Sequence, residues 1–116
     1  MSRIIVEATT SDAAVVTLRG LLSSGFDAKT ARISYNLNKG LPLAEETDKY
    51  PLILEGTLKR SSLTVHVYSV TAGYGGTGPH AMIDILNAAG FEFLFSDILT
   101  AARADSNGQI NLVYQR

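Results

Sequence analysis

The chain has 116 residues, 46% of them hydrophobic and 18% charged, and ten basic against eleven acidic side chains leave a net charge of −1. That length fits one domain over residues 1–116 with one core and excludes two ordinary domains. The near-neutral balance excludes a global electrostatic drive toward nucleic acid or an anionic membrane, so an anion site must be built locally.

With no cysteine in the chain, disulfides, thiolate chemistry and cysteine-ligated metals are excluded. No apolar run approaches the ~18 residues that a membrane span needs. Met1 to Glu7 has no signal-peptide pattern. The expectation is a cytoplasmic protein. The modest share of charge leaves apolar surface that a second copy can cover, so a homo-oligomer is expected as well.

Arg3 to Thr9 reads as a strand through its β-branched Ile4, Ile5 and Val6. Thr10-Ser11-Asp12 offers N-cap chemistry for a helix from Ala13 to Ser24, with Val15, Leu18 and Leu22 at helical spacing and Gly25 as its stop. Gly20 weakens that helix, and Val15-Val16-Thr17 also suits a strand, so both readings stay open. Thr30 to Leu37 alternates, with Ile33, Tyr35 and Leu37 on one side and Arg32, Ser34 and Asn36 on the other. Lys39 to Lys49 is polar and reads as a loop whose Glu45, Glu46 and Asp48 serve solubility.

Leu52 to Lys59 and Leu63 to Thr71 are two further strands. Lys59-Arg60-Ser61-Ser62 joins them too tightly for anything but an antiparallel hairpin. Pro79 to Ala89 is the clearest helix: Pro suits its start, Ala81, Met82, Ile85, Leu86 and Ala89 form one apolar stripe, and Gly90 with Phe91 closes it. Phe91 to Phe95 alternates like a short strand, and Ser96-Asp97 caps a last helix through Arg103. Asn107-Gly108 turns into a final strand from Ile110 to Tyr114. This order predicts an α+β fold, an antiparallel sheet with helices packed on one face.

Between the fourth strand and the clearest helix lies Gly73-Tyr74-Gly75-Gly76-Thr77-Gly78-Pro79-His80, with four glycines in six residues. Such a segment brings backbone N–H groups close to a ligand at the positive end of a helix dipole. Thr77 adds a hydroxyl and His80 a ring N–H, and Tyr74 offers a face for stacking. Formally, Gly73-x-Gly75-x-x-Gly78 with Asp97 about twenty residues on matches the dinucleotide fingerprint. However, too little chain follows for the second half of that fold, and the preceding strand belongs to an antiparallel hairpin. The lysine of a P-loop is missing, Pro79-His80 standing in its place. The plain alternative is a glycine-rich connector that bends the chain between strand and helix.

Arg32 and Arg103 are the arginines suited to complete an anion site, if the fold brings either to the loop. Otherwise they are solvated surface charge. His66, between Thr64 and Tyr68, reads as a sheet-face residue, and two distant histidines make no metal site. His80 and Asp84 share a helix face as an acid–base pair, a spacing common by chance.

The expectation is therefore a non-catalytic protein that binds a phosphate-bearing, nucleotide-like molecule and needs no cofactor. Gly73, Tyr74, Gly75, Gly76, Thr77, Gly78 and His80, with Arg32 or Arg103, form its site. Sequestration of a cyclic or ADP-ribose-derived signal, of phage or bacterial origin, is the sharpest form of that expectation. The alternatives are an inhibitor- or immunity-type interaction protein anchored by Tyr35, Tyr68, Tyr74 and the Phe91–Phe95 aromatics, and a small hydrolase or transferase using His80.

Overall fold

Side-chain alternation decides which face of the sheet is core. The computed structural model describes residues 2–8, 10–38 and 50–116, so the expected Lys39–Lys49 loop lies outside the described residues. In chain order the elements are β1 (Ser2–Val6), α1 (Ser11–Ser23), β2 (Asp27–Asn36), β3 (Leu52–Leu58), β4 (Ser61–Val67), α2 (Thr77–Ala89), α3 (Phe95–Leu99) and β5 (Gln109–Gln115). The strands form one sheet in the order β1-β4-β3-β2-β5. Ala31 and Ile33 of β2 lie beside Leu54 and Leu52 of β3, and these lie beside Val65 and Val67 of β4. All six side chains are fully buried. They share a core with Leu18 of α1 and Met82, Ile85 and Leu86 of α2. The fold is α+β, with helices packed against a mostly antiparallel sheet.

The β2–β3, β3–β4 and β2–β5 pairings are antiparallel, and β1 pairs with β4 in parallel. The tight β3–β4 hairpin turns at Lys59 and Arg60, both with positive φ (52° and 69°). That is the backbone of a type I′ turn built without glycine or asparagine. β4 ends at Val67, short of the expected Thr71, because Ser69 turns the chain at φ 69°. The turn is fastened on both sides: Ser11 Oγ donates to the Ser69 carbonyl at 2.6 Å, and Ser69 Oγ donates to the Ala8 carbonyl.

Helix, not strand, forms over residues 11–23. Thr10 Oγ1 accepts from Ala13 N–H at 3.1 Å, and Asp12 sits in the first turn. Gly25, at φ 107°, closes a Schellman motif in which Phe26 N–H reaches the Leu21 carbonyl. Gly90 and Phe91 end α2 in the same way, Phe91 N–H reaching the Leu86 carbonyl.

The expected strand at Phe91–Phe95 does not form. Phe91 is buried as the hydrophobic partner of that cap, and Phe93 packs on Tyr114 at 6.1 Å between centroids. The aromatic alternation thus reflects the packing of Phe91 and Phe93, while Phe95 stays exposed, and not a ladder of backbone bonds. Nor does the last helix reach Arg103: α3 ends at Leu99, with Thr100 already extended (φ −132°).

Candidate functional site

After Ser69 the chain re-enters the core through Val70 and Ala72, both fully buried, and then meets the glycine segment. Gly73 is buried with φ 98°. A Cβ there would stand 2.4 Å from Leu37 Cδ2 and 2.7 Å from Ile110 Cδ1. Its N–H donates to the Ile98 carbonyl of α3 at 2.7 Å. Gly73 therefore ties the loop to α3 and to side chains at the end of β2 and the start of β5, and its amide is already used. Gly78 is also a packing residue, since a Cβ would lie 2.1 Å from Thr71 Oγ1. That hydroxyl in turn donates to Tyr74 Oη at 2.7 Å.

Gly75 and Gly76 differ from these two. A Cβ on Gly75 meets nothing within 4 Å. Gly76 is extended (φ −178°), and a Cβ there would meet only the ring of Tyr74, at 3.1 Å. Neither close packing nor a left-handed backbone requires glycine at either position.

Gly76 is the N-cap of α2, which begins two residues before the expected Pro79. It supplies no side-chain acceptor, and the first turn holds no acidic residue. The His80 N–H donates to the Gly76 carbonyl at 3.1 Å, and Pro79 has no N–H to give. Among the described residues, no hydrogen bond occupies the amides of Tyr74, Gly75, Gly76, Thr77 or Gly78. The positive end of the α2 dipole points the same way. Thr77 and His80 are exposed at this end. Tyr74 is 43% exposed. Its hydroxyl lies against the buried Tyr35 phenol, whose pKa is pushed up by burial first and then by its phenolic neighbours.

The two arginines lie elsewhere. Arg32 sits between Ala31 and Ile33 of β2, both in the core, so its side chain leaves on the opposite face of the sheet. There it pairs with Glu55 at 2.8 Å. Arg103 Nε is held by Asp97 Oδ1 at 3.0 Å, and Tyr114 Oη donates to Asp97 Oδ2 at 2.9 Å. Asp97 is buried and lies within α3, where it anchors Arg103 and Tyr114 instead of capping a helix. Those contacts also occupy the carboxylate that would complete a dinucleotide fingerprint. This triad has no signature in the sequence: Ser96-Asp97 has the form of a cap, and nothing in the spacing of 97, 103 and 114 marks them as neighbours.

His66 is buried on β4, with its ring edge-on to Tyr50 at 5.5 Å. His80 and Asp84 are both exposed, and no hydrogen bond or ion pair joins them. Two open clefts lie near the opposite end of α2. One of about 390 Å³ is lined by Arg19, Leu22, Ser23 and Ala88, and one of about 360 Å³ by Gly90, Glu92, Gln115 and Arg116. Among the described residues no group of His, Asp or Glu is arranged to hold a metal ion, and no helix is long and apolar enough to cross a membrane.

Comparison of this chain with protein-family models, curated proteins and solved structures finds no match in any of the three.

Proposed function

We propose that the protein binds a phosphate-bearing small molecule, nucleotide-like in kind, at the N-terminal end of α2. The phosphate sits on the amides of Gly75, Gly76, Thr77 and Gly78. The Thr77 hydroxyl and a His80 ring N–H add donors, and Tyr74 lends its ring to the base or sugar. The single observation that supports this most is the contrast between the two long helices. α1 starts on a threonine cap with an aspartate in its first turn, whereas α2 starts on a glycine with neither. An external anion supplies what the chain withholds. Gly73, already bonded to Ile98, takes no part, and neither Arg32 nor Arg103 belongs to the site.

The reading is of a binder that sequesters or senses its ligand in the cytoplasm without altering it. A melting-temperature screen with ADP, ADP-ribose, cyclic dinucleotides and inorganic phosphate tests it. One or more of the organic phosphates raises the melting point in proportion to the logarithm of concentration, and the compound is recovered unchanged after denaturation. No shift across the set refutes the reading, and turnover of the compound refutes its non-catalytic part.

A second reading, an inhibitor- or immunity-type interaction module, is favoured by Leu94 and Phe95, which stand 64% and 56% exposed side by side. It predicts a co-purifying protein partner and no response to the phosphate screen.

A further inference from the structure

From the β5 edge of the sheet, which no other described strand pairs, we infer that β5 is a self-association site, where a second copy of this chain pairs antiparallel about Val113. This gives a place in the fold to the self-association that the composition leads one to expect.

Among the described residues the sheet is open, with β1 and β5 at its two edges. Edge strands are normally guarded against pairing by shortness, charge or proline. β1 has five residues and carries Arg3. β5 has seven, Gln109-Ile110-Asn111-Leu112-Val113-Tyr114-Gln115, with neither charge nor proline. Val113 is 53% exposed. Beside this edge Tyr114 packs on Phe93, and Phe93 on Phe95 at 5.7 Å, so an aromatic chain runs from β5 to exposed apolar surface.

The backbone then selects one register. Leu37 N–H donates to the Gly108 carbonyl at 2.8 Å, and Arg116 N–H to the Lys29 carbonyl at 2.9 Å. With the unbroken β2–β5 register between them, even-numbered residues of β5 turn their N–H and C=O groups toward β2, and odd-numbered ones turn theirs outward. Of the outward set, Gln109 is occupied on both groups: its N–H donates to Asp105 Oδ1 and its carbonyl accepts from Asp105 N–H, each at 3.0 Å. Among the described residues that leaves Asn111, Val113 and Gln115.

A two-fold antiparallel pairing that uses these three residues and no others centres on Val113. Val113 faces Val113 of the second copy, and Asn111 faces Gln115. The pairing makes about six new backbone bonds and continues the sheet from one copy into the next. Leu112 meets Tyr114 on the helix side. No like charges are opposed at any of these positions, as a closed two-fold contact requires.

The test uses the cysteine-free chain, in which any introduced thiol is unique. In analytical ultracentrifugation the native protein sediments as a dimer that dissociates on dilution. Val113→Lys and Val113→Asp are each monomeric with unchanged circular dichroism, and mixing the two restores the dimer. Under mild oxidation Val113→Cys forms a covalent dimer, since hydrogen-bonded pairs place their Cα atoms about 5.5 Å apart, within disulfide reach. Asn111→Cys does not, because its own counterpart lies four residues along the strand, roughly 13 Å away. A native protein that stays monomeric at submillimolar concentration overturns the inference. So does a dimer that survives Val113→Lys, or one that cross-links through Asn111→Cys and not through Val113→Cys.

Discussion

Four glycines standing together do three separate things here. Gly73 lets Leu37 and Ile110 close over the loop, and Gly78 lets Thr71 fit beneath α2. Gly75 and Gly76 keep the backbone bare where nothing in the fold demands it. Substitution separates these roles. Gly73→Ala puts a methyl into Leu37 and Ile110 and holds a side chain at φ 98°, and it costs about 2–4 kcal/mol in chemical denaturation. Gly75→Ala meets open space, leaves stability within about 0.5 kcal/mol, and weakens phosphate binding by crowding the amides. Glycine clustering was legible in the sequence, but the division of labour was not. Leu37 and Ile110 lie far from residue 73 along the chain, and only the packed sheet brings them together. Arg32 and Arg103 were equally out of reach of a linear reading: one is turned away by strand parity, the other is claimed by a buried aspartate.

Helices declared themselves where their ends carried chemistry. Thr10 and Gly25 bound α1, and Gly90 with Phe91 ends α2, each a local signal with a local cause. The aromatic run at Phe91–Phe95 misled because alternating aromatic residues do not require a neighbouring strand: Phe91 serves the α2 cap, Phe93 packs on Tyr114, and Phe95 is exposed. β1 beside β4 is a parallel pairing with no local signature at all, since a long stretch of chain separates the two. The uncapped start of α2 is the feature with the most consequence at this scale. Thr77→Asp places a carboxylate at the first turn, where the amides and the dipole favour it. The expected result is a gain of about 0.5 kcal/mol in stability together with loss of phosphate binding, since the new side chain takes the ligand's place. A stability gain with binding intact would mean that the ligand sits elsewhere.

Across the whole molecule, phenols tie the loop and the strand edges to the core, and this gives the fold an alkaline limit. Burial, followed by the Asp97 carboxylate, pushes the Tyr114 pKa well up. Burial raises that of Tyr35, and a 2.7 Å hydrogen bond to Glu7 raises that of Tyr50. Each phenol keeps its proton in the folded chain at a pH where the unfolded chain, with tyrosines near pH 10, has begun to lose it. The folded state then binds more protons, so stability is fully present below about pH 10 and falls as pH rises beyond it. Tyr114→Phe removes one of these groups. It costs about 1 kcal/mol at neutral pH through the lost hydrogen bond, and the decline of melting temperature above pH 10 becomes shallower.

The amides ahead of α2 carry the proposed phosphate site, and an ¹⁵N–¹H correlation spectrum recorded during titration with ADP observes them directly. The predicted result is progressive, saturable shifts at Gly75, Gly76, Thr77 and Gly78, with the Gly73 amide, bonded to Ile98, and the Ala13 amide, bonded to Thr10, nearly unmoved. ADP shifts confined to another surface, or no shift at those four amides with ADP or with any other phosphate compound of the melting screen, would contradict it.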